Sequence, residues 1–223
     1  HGGEVTMGAF DEAIRHSITK MSHFHFTATE DYRKRVIQLG EQPETVFNVG
    51  GLGIDNIFGL TLLSREELEK KIGIELARKN LLVTFHPSTL EKEHPAHQFQ
   101  SLCDALEQYV DANIIFTKTN ADTYGRAINR MIDEFVENNK KRSVAHTSLG
   151  QIGYLSALKH VDAVVGNSSS GLLEAPSFRI GTINIGDRQK GRVKAASVID
   201  CVPICENILD ALHEIYSQSF QEK

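Results

Sequence analysis

Strand patterns and helix patterns alternate along most of this 223-residue chain. Short apolar runs such as residues 81–85 and 113–117 have the length and composition of buried strands. Between these two runs, Phe99, Leu102 and Leu106 recur at the spacing of one helix face. Strands that alternate with helices predict a parallel sheet with helices on both faces, so the expected fold class is α/β.

Polar residues follow the predicted strands, at the points where the strands end. In parallel sheets of this kind, ligands bind at the carboxyl ends of the strands. The polar positions are His86, residues 118–120, Ser148, residues 168–170 and residues 186–188. We therefore expect these positions to converge on one ligand-binding edge of the sheet.

Composition and charge argue against several classes of protein. The formal net charge of −5 argues against a nucleic-acid-binding protein, which would carry a surplus of basic residues. No apolar run approaches the roughly 20 residues that a membrane-spanning helix needs. Cys103, Cys201 and Cys205 are odd in number and lack a paired spacing, which favours a reducing cytoplasm over a disulfide framework.

The most informative motif is the turn at residues 166–175, Gly-Asn-Ser-Ser-Ser-Gly-Leu-Leu-Glu-Ala. It follows the apolar run 162–165 and precedes a predicted helix, where free backbone N–H groups and the helix dipole favour an anion. Ser168 and Ser169 add hydroxyl donors, whereas Glu174 suits the hydroxyls of a ribose. The pattern favours a nucleotide diphosphate, and the alternative is a serine-rich helix cap that binds nothing.

Two further segments carry candidate groups for a phosphate. Residues 187–192, Asp-Arg-Gln-Lys-Gly-Arg, place three cations after a predicted strand, and Arg188 offers a planar fork for phosphate oxygens. The alternative is a solvated charged loop. His86 follows a strong strand pattern, where an imidazolium would stabilise charge on a departing phosphate. The alternative there is a surface histidine before the turn residue Pro87.

Carboxylates near the start of the chain are the candidates for acid–base chemistry. Glu4 follows a Gly-Gly turn, and Asp11 and Glu12 open the first predicted helix. Such carboxylates can transfer protons if the fold brings them into one cleft, although Asp11 also suits a helix start because of the helix dipole. Metal binding is not expected, because His94 and His97 have no cysteine or acidic cluster at ligand spacing.

The first part of the chain differs from the rest. The sequence opens on a Gly-Gly turn with no strand pattern ahead of it, and we expect it to be the C-terminal portion of a longer protein. The Gly-rich stretch at residues 50–53 predicts a hinge. This hinge divides the chain into an expected remnant of a first domain, residues 1–49, and a second domain, residues 50–223.

Four segments of the chain occur together and in a distinctive order. They are HGGEVTMGAFDEAIRHSITKMSHFHF at residues 1–26, the His86-Pro87 turn, GNSSSGLLEAPSF at residues 166–178 and INIGDRQKGR at residues 183–192. Together they resemble the hydrolysing UDP-N-acetylglucosamine 2-epimerases of sialic-acid biosynthesis, over essentially the whole chain. The serine turn followed by the RQKGR loop makes the resemblance specific, since a serine turn alone is common.

This resemblance implies a glycosyltransferase-B-like fold of two Rossmann-like domains, of which residues 50–223 would form the second, UDP-binding domain. It implies an enzyme that converts UDP-N-acetylglucosamine and water into N-acetylmannosamine and UDP. The implied mechanism is elimination of UDP to a 2-acetamidoglucal, followed by addition of water. The expected partner is a UDP-sugar, without nucleic acid or membrane and without a cofactor, and a homo-oligomer is expected.

The resemblance also assigns a nucleotide-binding role to five residues. Ser168 and Ser169 would hold the diphosphate, and Arg188 would bind a phosphate. Glu174 would accept hydrogen bonds from the ribose hydroxyls. Asn120 would contact the phosphate or the sugar.

The catalytic roles implied by the resemblance fall on three other residues. His86 would stabilise the leaving UDP, while Glu4 and Asp11 match the acidic positions for proton transfer at the sugar. Backbone around residues 149–153 would form the uracil pocket. Two alternatives stay open: a hydrolysing 2-epimerase for a diacetamido 6-deoxy UDP-sugar, and a nucleotide-sugar-binding fragment without catalysis.

Overall fold

The computed structural model of the chain describes residues 2–5, 11–51, 53–88, 94–120 and 124–222, without the side chains at positions 11, 56 and 58. The chain forms two compact units. The first comprises His1–Leu60 and Asp187–Arg192, and the second comprises Thr61–Gly186 and Val193–Lys223. The Gly-rich stretch at residues 50–53 therefore belongs to the first unit, and six residues from far along the chain belong to it as well.

The first unit is a small α/β arrangement. Its elements are α1 (Asp11–Met21), β1 (His25–Thr27), α2 (Glu30–Gln38), a 3-10 turn (Pro43–Thr45), β2 (Val46–Asn48) and α3 (Ile54–Gly59). Strands β1 and β2 pair in parallel, with Phe26 opposite Phe47. The two phenyl rings stack at a centroid distance of 5.7 Å, and both are exposed to solvent.

The second unit carries the larger sheet. Its strands are β3 (Asn80–Thr84), β4 (Asn113–Thr117), β5 (Ser143–His146), β6 (Ala163–Gly166), β7 (Gly181–Ile185) and β8 (Val198–Cys201). Its helices are α4 (Arg65–Ile72), α5 (Pro95–Gln108), α6 (Gly125–Asn138), α7 (Gly150–His160), α8 (Ser170–Leu173), α9 (Cys205–Ile215) and α10 (Gln218–Gln221), with a 3-10 turn at Ala175–Phe178. Within the described residues these six strands form one sheet in the order β5-β4-β3-β6-β7-β8, and every neighbouring pair is parallel.

Helices cover both faces of this sheet, as the alternation of patterns predicts. On one face, side chains such as Leu81 and Val165 pack with helices α5, α6 and α9 in the main hydrophobic core. On the other face, α7 contacts β3, and α8 contacts β6 and β7. Strands buried on both faces need apolar residues at every position, which explains why they appear in the sequence as continuous apolar runs.

A buried side-chain amide forms hydrogen bonds with the backbone at the amino end of β3. Asn80 is 3% exposed, and its Oδ1 accepts a hydrogen bond from Ala77 N at 2.8 Å. Its Nδ2 donates to Ala77 O at 3.0 Å. One buried amide thus satisfies both backbone groups of Ala77, at the sheet edge opposite to the carboxyl ends of the strands.

The three cysteines all lie in the described part of the chain and are free thiols. Burial raises the pKa of the Cys103 thiol to about 12 and that of the Cys201 thiol to about 11. Both thiols therefore stay protonated near neutral pH and are poor nucleophiles. Among the helices of the described residues, none has the length and apolar content needed to cross a membrane.

Candidate functional site

The connections of the large sheet change direction between β3 and β6. Strands β4 and β5 lie on one side of β3, and strands β7 and β8 lie on the opposite side, beyond β6. Counted within the unit, the strand order is 3-2-1-4-5-6, in which ligands bind at the carboxyl ends of the first and fourth strands. Gly166 ends β6 with a φ of 133°, and a Cβ there would lie 2.0 Å from the carbonyl oxygen of Thr84. Glycine is therefore required where the two strand ends meet.

The side chain of Asn167 holds the backbone of His86 by two hydrogen bonds. His86 N donates to Asn167 Oδ1 at 2.7 Å, and Asn167 Nδ2 donates to His86 O at 2.8 Å. Asn167 is 1% exposed, and its own backbone N–H donates to Thr84 O at 3.2 Å. The residue after β6 thus fixes the residue after β3, and this pair of hydrogen bonds is named the His86 clasp below.

The turn after β4 orients the imidazole of His86. His86 Nδ1 lies 3.0 Å from Thr119 Oγ1, and Thr119 is buried. Thr119 N donates to Asn129 Oδ1 at 3.0 Å, and Asn129 Nδ2 donates to Thr119 O at 3.1 Å. Asn120 is the next residue and is exposed. The structure therefore brings His86 and Asn120 to neighbouring turns at one edge of the sheet.

The helix predicted after the serine turn is present but short. Helix α8 spans four residues and is followed directly by the 3-10 turn. A single turn aligns few peptide dipoles, so the expected contribution of the helix end to anion binding is small. Within the described residues, however, the backbone N–H groups of Ser168 and Ser169 donate to no protein acceptor. These two N–H groups and the serine hydroxyls are therefore the hydrogen-bond donors of this turn for a phosphate.

A pocket of about 300 Å³ opens next to Glu174 in the same unit. It is lined by Thr117, Thr147, Ser148, Leu149, Gly150, Gln151, Tyr154, Leu155 and Glu174. Ligand pockets commonly have volumes of about 300–1,000 Å³, so this one is at the small end of that range. Its walls include the start of α7, where the sequence predicts the uracil pocket. No hydrogen bond or ion pair engages the Glu174 carboxylate within the described residues.

Tyr154 is a pocket residue that the sequence does not single out. Burial raises the pKa of its phenol, the hydroxyls of Ser170 and Thr84 act in the opposite direction, and the charge of Glu174 raises it further. The phenol therefore stays protonated and can donate a hydrogen bond inside the pocket. Tyr154 lies in the apolar helix pattern of α7, where no local signal separates a pocket residue from a core residue.

Glu4 belongs to the first unit and follows a tightly packed turn. Gly3 has a φ of 75°, and a Cβ there would lie 2.2 Å from the carbonyl oxygen of Tyr32. Arg35 Nη1 donates a hydrogen bond to Gly3 O. Glu4 Oε2 lies 3.5 Å from Arg192 Nη2, and the two form an ion pair.

Asp11 and Glu12 open helix α1, as the sequence predicts. The side chain of Asp11 lies outside the described residues, so its catalytic role stays a prediction. Glu12 Oε1 lies 3.5 Å from His16 Nε2, one helical turn away. This contact gives Glu12 a helix-stabilising partner and does not require a catalytic role.

The RQKGR loop belongs to the first unit, whereas the serine turn belongs to the second. Arg188 is half-buried, and Lys190 is exposed and lies 3.2 Å from Asp187 Oδ2. The structure thus places Glu4 and Arg188 in one unit. It places His86, Asn120, Ser168, Ser169 and Glu174 in the other. A shared phosphate site for Arg188 and the serine turn stays a prediction.

The chain matches the protein-family model described as UDP-N-acetylglucosamine 2-epimerase over residues 1–223. It is 47% identical over 210 residues to "Polysialic acid biosynthesis protein P7" of Escherichia coli. The matched region covers 94% of this chain and 53% of that protein. It is 40% identical over 221 residues to "GDP/UDP-N,N'-diacetylbacillosamine 2-epimerase (hydrolyzing)" of Campylobacter jejuni. The matched region covers 99% of this chain and 57% of that protein. The chain therefore spans about half the length of these curated relatives.

Solved structures share the fold. The Staphylococcus aureus MnaA–UDP co-structure superposes with a TM-score of 0.74 at 18% identity, over 95% of this chain and 57% of that chain. This likeness confirms the predicted fold class, a Rossmann-like parallel sheet with helices on both faces, of the glycosyltransferase-B type.

Proposed function

We propose, on the premise that this chain belongs to the UDP-N-acetylglucosamine 2-epimerase family, that it forms the UDP-binding part of a hydrolysing 2-epimerase. The reaction converts UDP-N-acetylglucosamine and water into N-acetylmannosamine and UDP. The His86 clasp carries this proposal. It holds an imidazole at the carboxyl end of β3, next to the turn of β6, where this sheet topology binds nucleotides.

The nucleotide is proposed to bind along the turn after β6. The backbone N–H groups and hydroxyls of Ser168 and Ser169 donate to the diphosphate, since these N–H groups have no protein acceptor within the described residues. Glu174 accepts hydrogen bonds from the ribose hydroxyls. The uracil occupies the pocket at the start of α7, where the neutral phenol of Tyr154 is an additional donor.

The first chemical step is proposed to be elimination of UDP. A carboxylate, Glu4 or Asp11, removes the proton on carbon 2 of the sugar, and the electron pair forms the double bond between carbons 1 and 2. The bond between carbon 1 and the phosphate oxygen breaks, and UDP leaves with that electron pair. His86 and Arg188 stabilise the charge that develops on the leaving phosphate. Asn120 contacts the phosphate or the sugar.

The second step is proposed to be addition of water to the 2-acetamidoglucal. The water oxygen bonds to carbon 1, and the water proton passes to a carboxylate. Carbon 2 takes up a proton on the opposite face from the one that it lost. Together the two steps consume one water and release N-acetylmannosamine and UDP, so neither a redox cofactor nor a metal is required for the balance.

A second candidate substrate is a diacetamido 6-deoxy UDP-sugar. The observation that favours it is the 40% identity to the Campylobacter jejuni protein, whose name specifies a hydrolysing diacetylbacillosamine 2-epimerase. The chemistry at carbons 1 and 2 would be the same for both sugars. The substituents at carbons 4 and 6 therefore decide between the two candidates.

Both candidates are tested by one assay of the natural protein that contains this chain. The protein is incubated with each UDP-sugar in D2O. The amount of UDP is then measured, and the released hexosamine is identified by NMR. Release of UDP with a manno-configured hexosamine that carries deuterium at carbon 2 is expected. A UDP-bound epimer without free UDP would indicate a non-hydrolysing enzyme, and UDP binding without turnover would indicate a binding module.

Arg188→Ala is expected to weaken UDP binding by about 1.5–3 kcal/mol, the range for a hydrogen bond to a charged group. The reason is the loss of the guanidinium that neutralises a phosphate. Isothermal titration calorimetry measures the change. Lys190→Ala serves as the control in the same loop, because Lys190 is exposed and pairs with Asp187. Unchanged UDP affinity in Arg188→Ala would remove Arg188 from the site.

Glu174→Ala is expected to weaken UDP binding by about 1.5–3 kcal/mol through the loss of charged hydrogen bonds to the ribose. The same substitution is expected to leave the affinity for 2′,3′-dideoxy-UDP unchanged, because that ligand has no ribose hydroxyls. Calorimetry with both ligands on both proteins gives the comparison. Equal losses for the two ligands would place Glu174 away from the ribose.

We also propose a cytoplasmic location and a homo-oligomeric state, without nucleic acid or membrane as partners. The free thiols of the three cysteines support a reducing compartment. Size-exclusion chromatography with light scattering tests the oligomeric state.

A further inference from the structure

The three cations of the RQKGR loop have different environments. Lys190 is exposed, whereas Arg188 and Arg192 are both half-buried, and the side chain of Arg192 is 9% exposed. The loop turns at these residues, since Lys190 N donates to Asp187 O at 2.9 Å and Arg192 N donates to Gln189 O at 3.3 Å. The sequence does not distinguish these cations, but in the fold the guanidinium of Arg192 is largely removed from water.

A buried guanidinium needs a counter-charge, because an unpaired charge away from water is strongly unfavourable. For Arg192 that charge is Glu4, whose Oε2 lies 3.5 Å from Arg192 Nη2 and whose side chain is 20% exposed. Arg192 Nε is buried and has no hydrogen-bond partner within the described residues. The contact with Glu4 is therefore the principal electrostatic contact of this side chain.

The backbone that carries Glu4 is already immobilised. Gly2 and Gly3 press against α1 and α2, since a Cβ at either position would lie within 2.4 Å of Thr19 Oγ1 or Tyr32 O. Arg35 holds the carbonyl of Gly3. The side chain of a glutamate still has three rotatable bonds beyond this fixed backbone. The ion pair with Arg192 is the contact that selects the position of the carboxylate.

We propose that Arg192 is a positioning residue, which holds the Glu4 carboxylate in the orientation needed for proton transfer. The inference rests on the proposed function, in which Glu4 is one of the proton-transfer carboxylates. This role differs from that of Arg188, which is proposed to bind a phosphate. Arg192 acts through Glu4 and does not touch the substrate.

The test is a double-mutant cycle on turnover in the natural protein that contains this chain. Arg192→Met is expected to lower kcat about 100-fold with KM changed less than about threefold, because a displacement of about 1 Å can cost that much. In a Glu4→Gln background, the same substitution is expected to change kcat by less than about twofold, because the group that it positions is already inactive. Arg192→Lys, which keeps the charge but not the planar fork, is expected to recover part of the loss.

The cycle distinguishes the failure of this inference from the failure of the proposed function. If Glu4→Gln is slow and Arg192→Met slows it by a further 100-fold or so, the two residues act independently and the positioning role is wrong. If Glu4→Gln turns over at the wild-type rate, Glu4 has no role in proton transfer, and both proposals about it are wrong. Lys34→Met is the control, because Lys34 belongs to the same unit and is exposed to solvent.

A second measurement tests the contact without turnover. Urea unfolding is followed for the wild type, Glu4→Gln, Arg192→Met and the double variant. The shifts in midpoint of the two single variants are expected not to add, because each removes the same ion pair. Additive shifts would show that the pair does not form and would overturn the inference. If Arg192→Met does not fold, Arg192→Lys replaces it in both cycles.

Discussion

Glu4→Gln is expected to lower the turnover of the UDP-sugar about 10²–10⁴-fold, the usual contribution of a general acid or base. The amide keeps the size and shape of the carboxylate but can neither take nor give the proton at carbon 2. UDP affinity is expected to be nearly unchanged, because the proposed UDP contacts of Ser168, Ser169 and Glu174 do not involve Glu4. Single-turnover kinetics measure the first quantity and calorimetry measures the second.

Two companion variants control this experiment. Asp11→Asn is expected to behave like Glu4→Gln if the two carboxylates share the proton transfers. Glu12→Gln is the matched control on the adjacent position and is expected to keep turnover, since Glu12 contacts His16 in the same helix. Near-normal release of N-acetylmannosamine by Asp11→Asn would contradict the role assigned to Asp11. An equal loss in Glu12→Gln would show that the segment is generally sensitive to substitution.

Asn167→Ala is expected to reduce both stability and turnover, because it removes the His86 clasp. The substitution leaves the N–H and the C=O of His86 without these partners. The free energy of unfolding is expected to fall by about 1–3 kcal/mol for each group that remains buried. The imidazole is then free to move from the position in which it meets the leaving phosphate, and a displacement of about 1 Å can cost about 10² in rate. Urea unfolding and steady-state kinetics measure the two effects.

Asn80→Ala supplies the matched control for this variant. Asn80 makes the same pair of amide-to-backbone hydrogen bonds with Ala77, but at the amino end of β3. It is expected to lower stability by a similar amount while UDP affinity and turnover stay close to those of the wild type. If both variants lose turnover to the same extent, general destabilisation explains the loss and the clasp has no specific role.

The central strands could be predicted from sequence because they are buried on both faces. Their apolar runs need no alternation, and the boundaries of β4 agree with the pattern in residues 113–117. Strand β8 gave no such signal, since this edge strand is only partly buried and contains Asp200. Helix α8 is short because Pro176 follows closely, and a proline has no N–H with which to continue the helical hydrogen bonds.

The positions of candidate site residues could be predicted where those residues directly follow a strand. His86, Asn120 and Ser168 follow strand ends, and parallel strands bring such residues to one edge. The roles of Asn167 and Asn129 could not be assigned, because each side chain binds the backbone of a turn after another strand, and no local pattern marks this pairing. The ion pair between Glu4 and Arg192 was not predicted either, since it depends on the fold that places residues 187–192 in the first unit.

The discontinuity of the first unit has a consequence for synthesis on the ribosome. Glu4 is translated long before Arg192, and at about 5–20 residues per second the interval is about 10–40 s. Throughout this interval the nascent first unit lacks residues 187–192, while the large sheet between them is being made. The stacked Phe26 and Phe47 are exposed even in the folded structure, so they are available to chaperones as soon as they leave the ribosome. The first unit therefore completes its fold only after most of the second unit has left the ribosome.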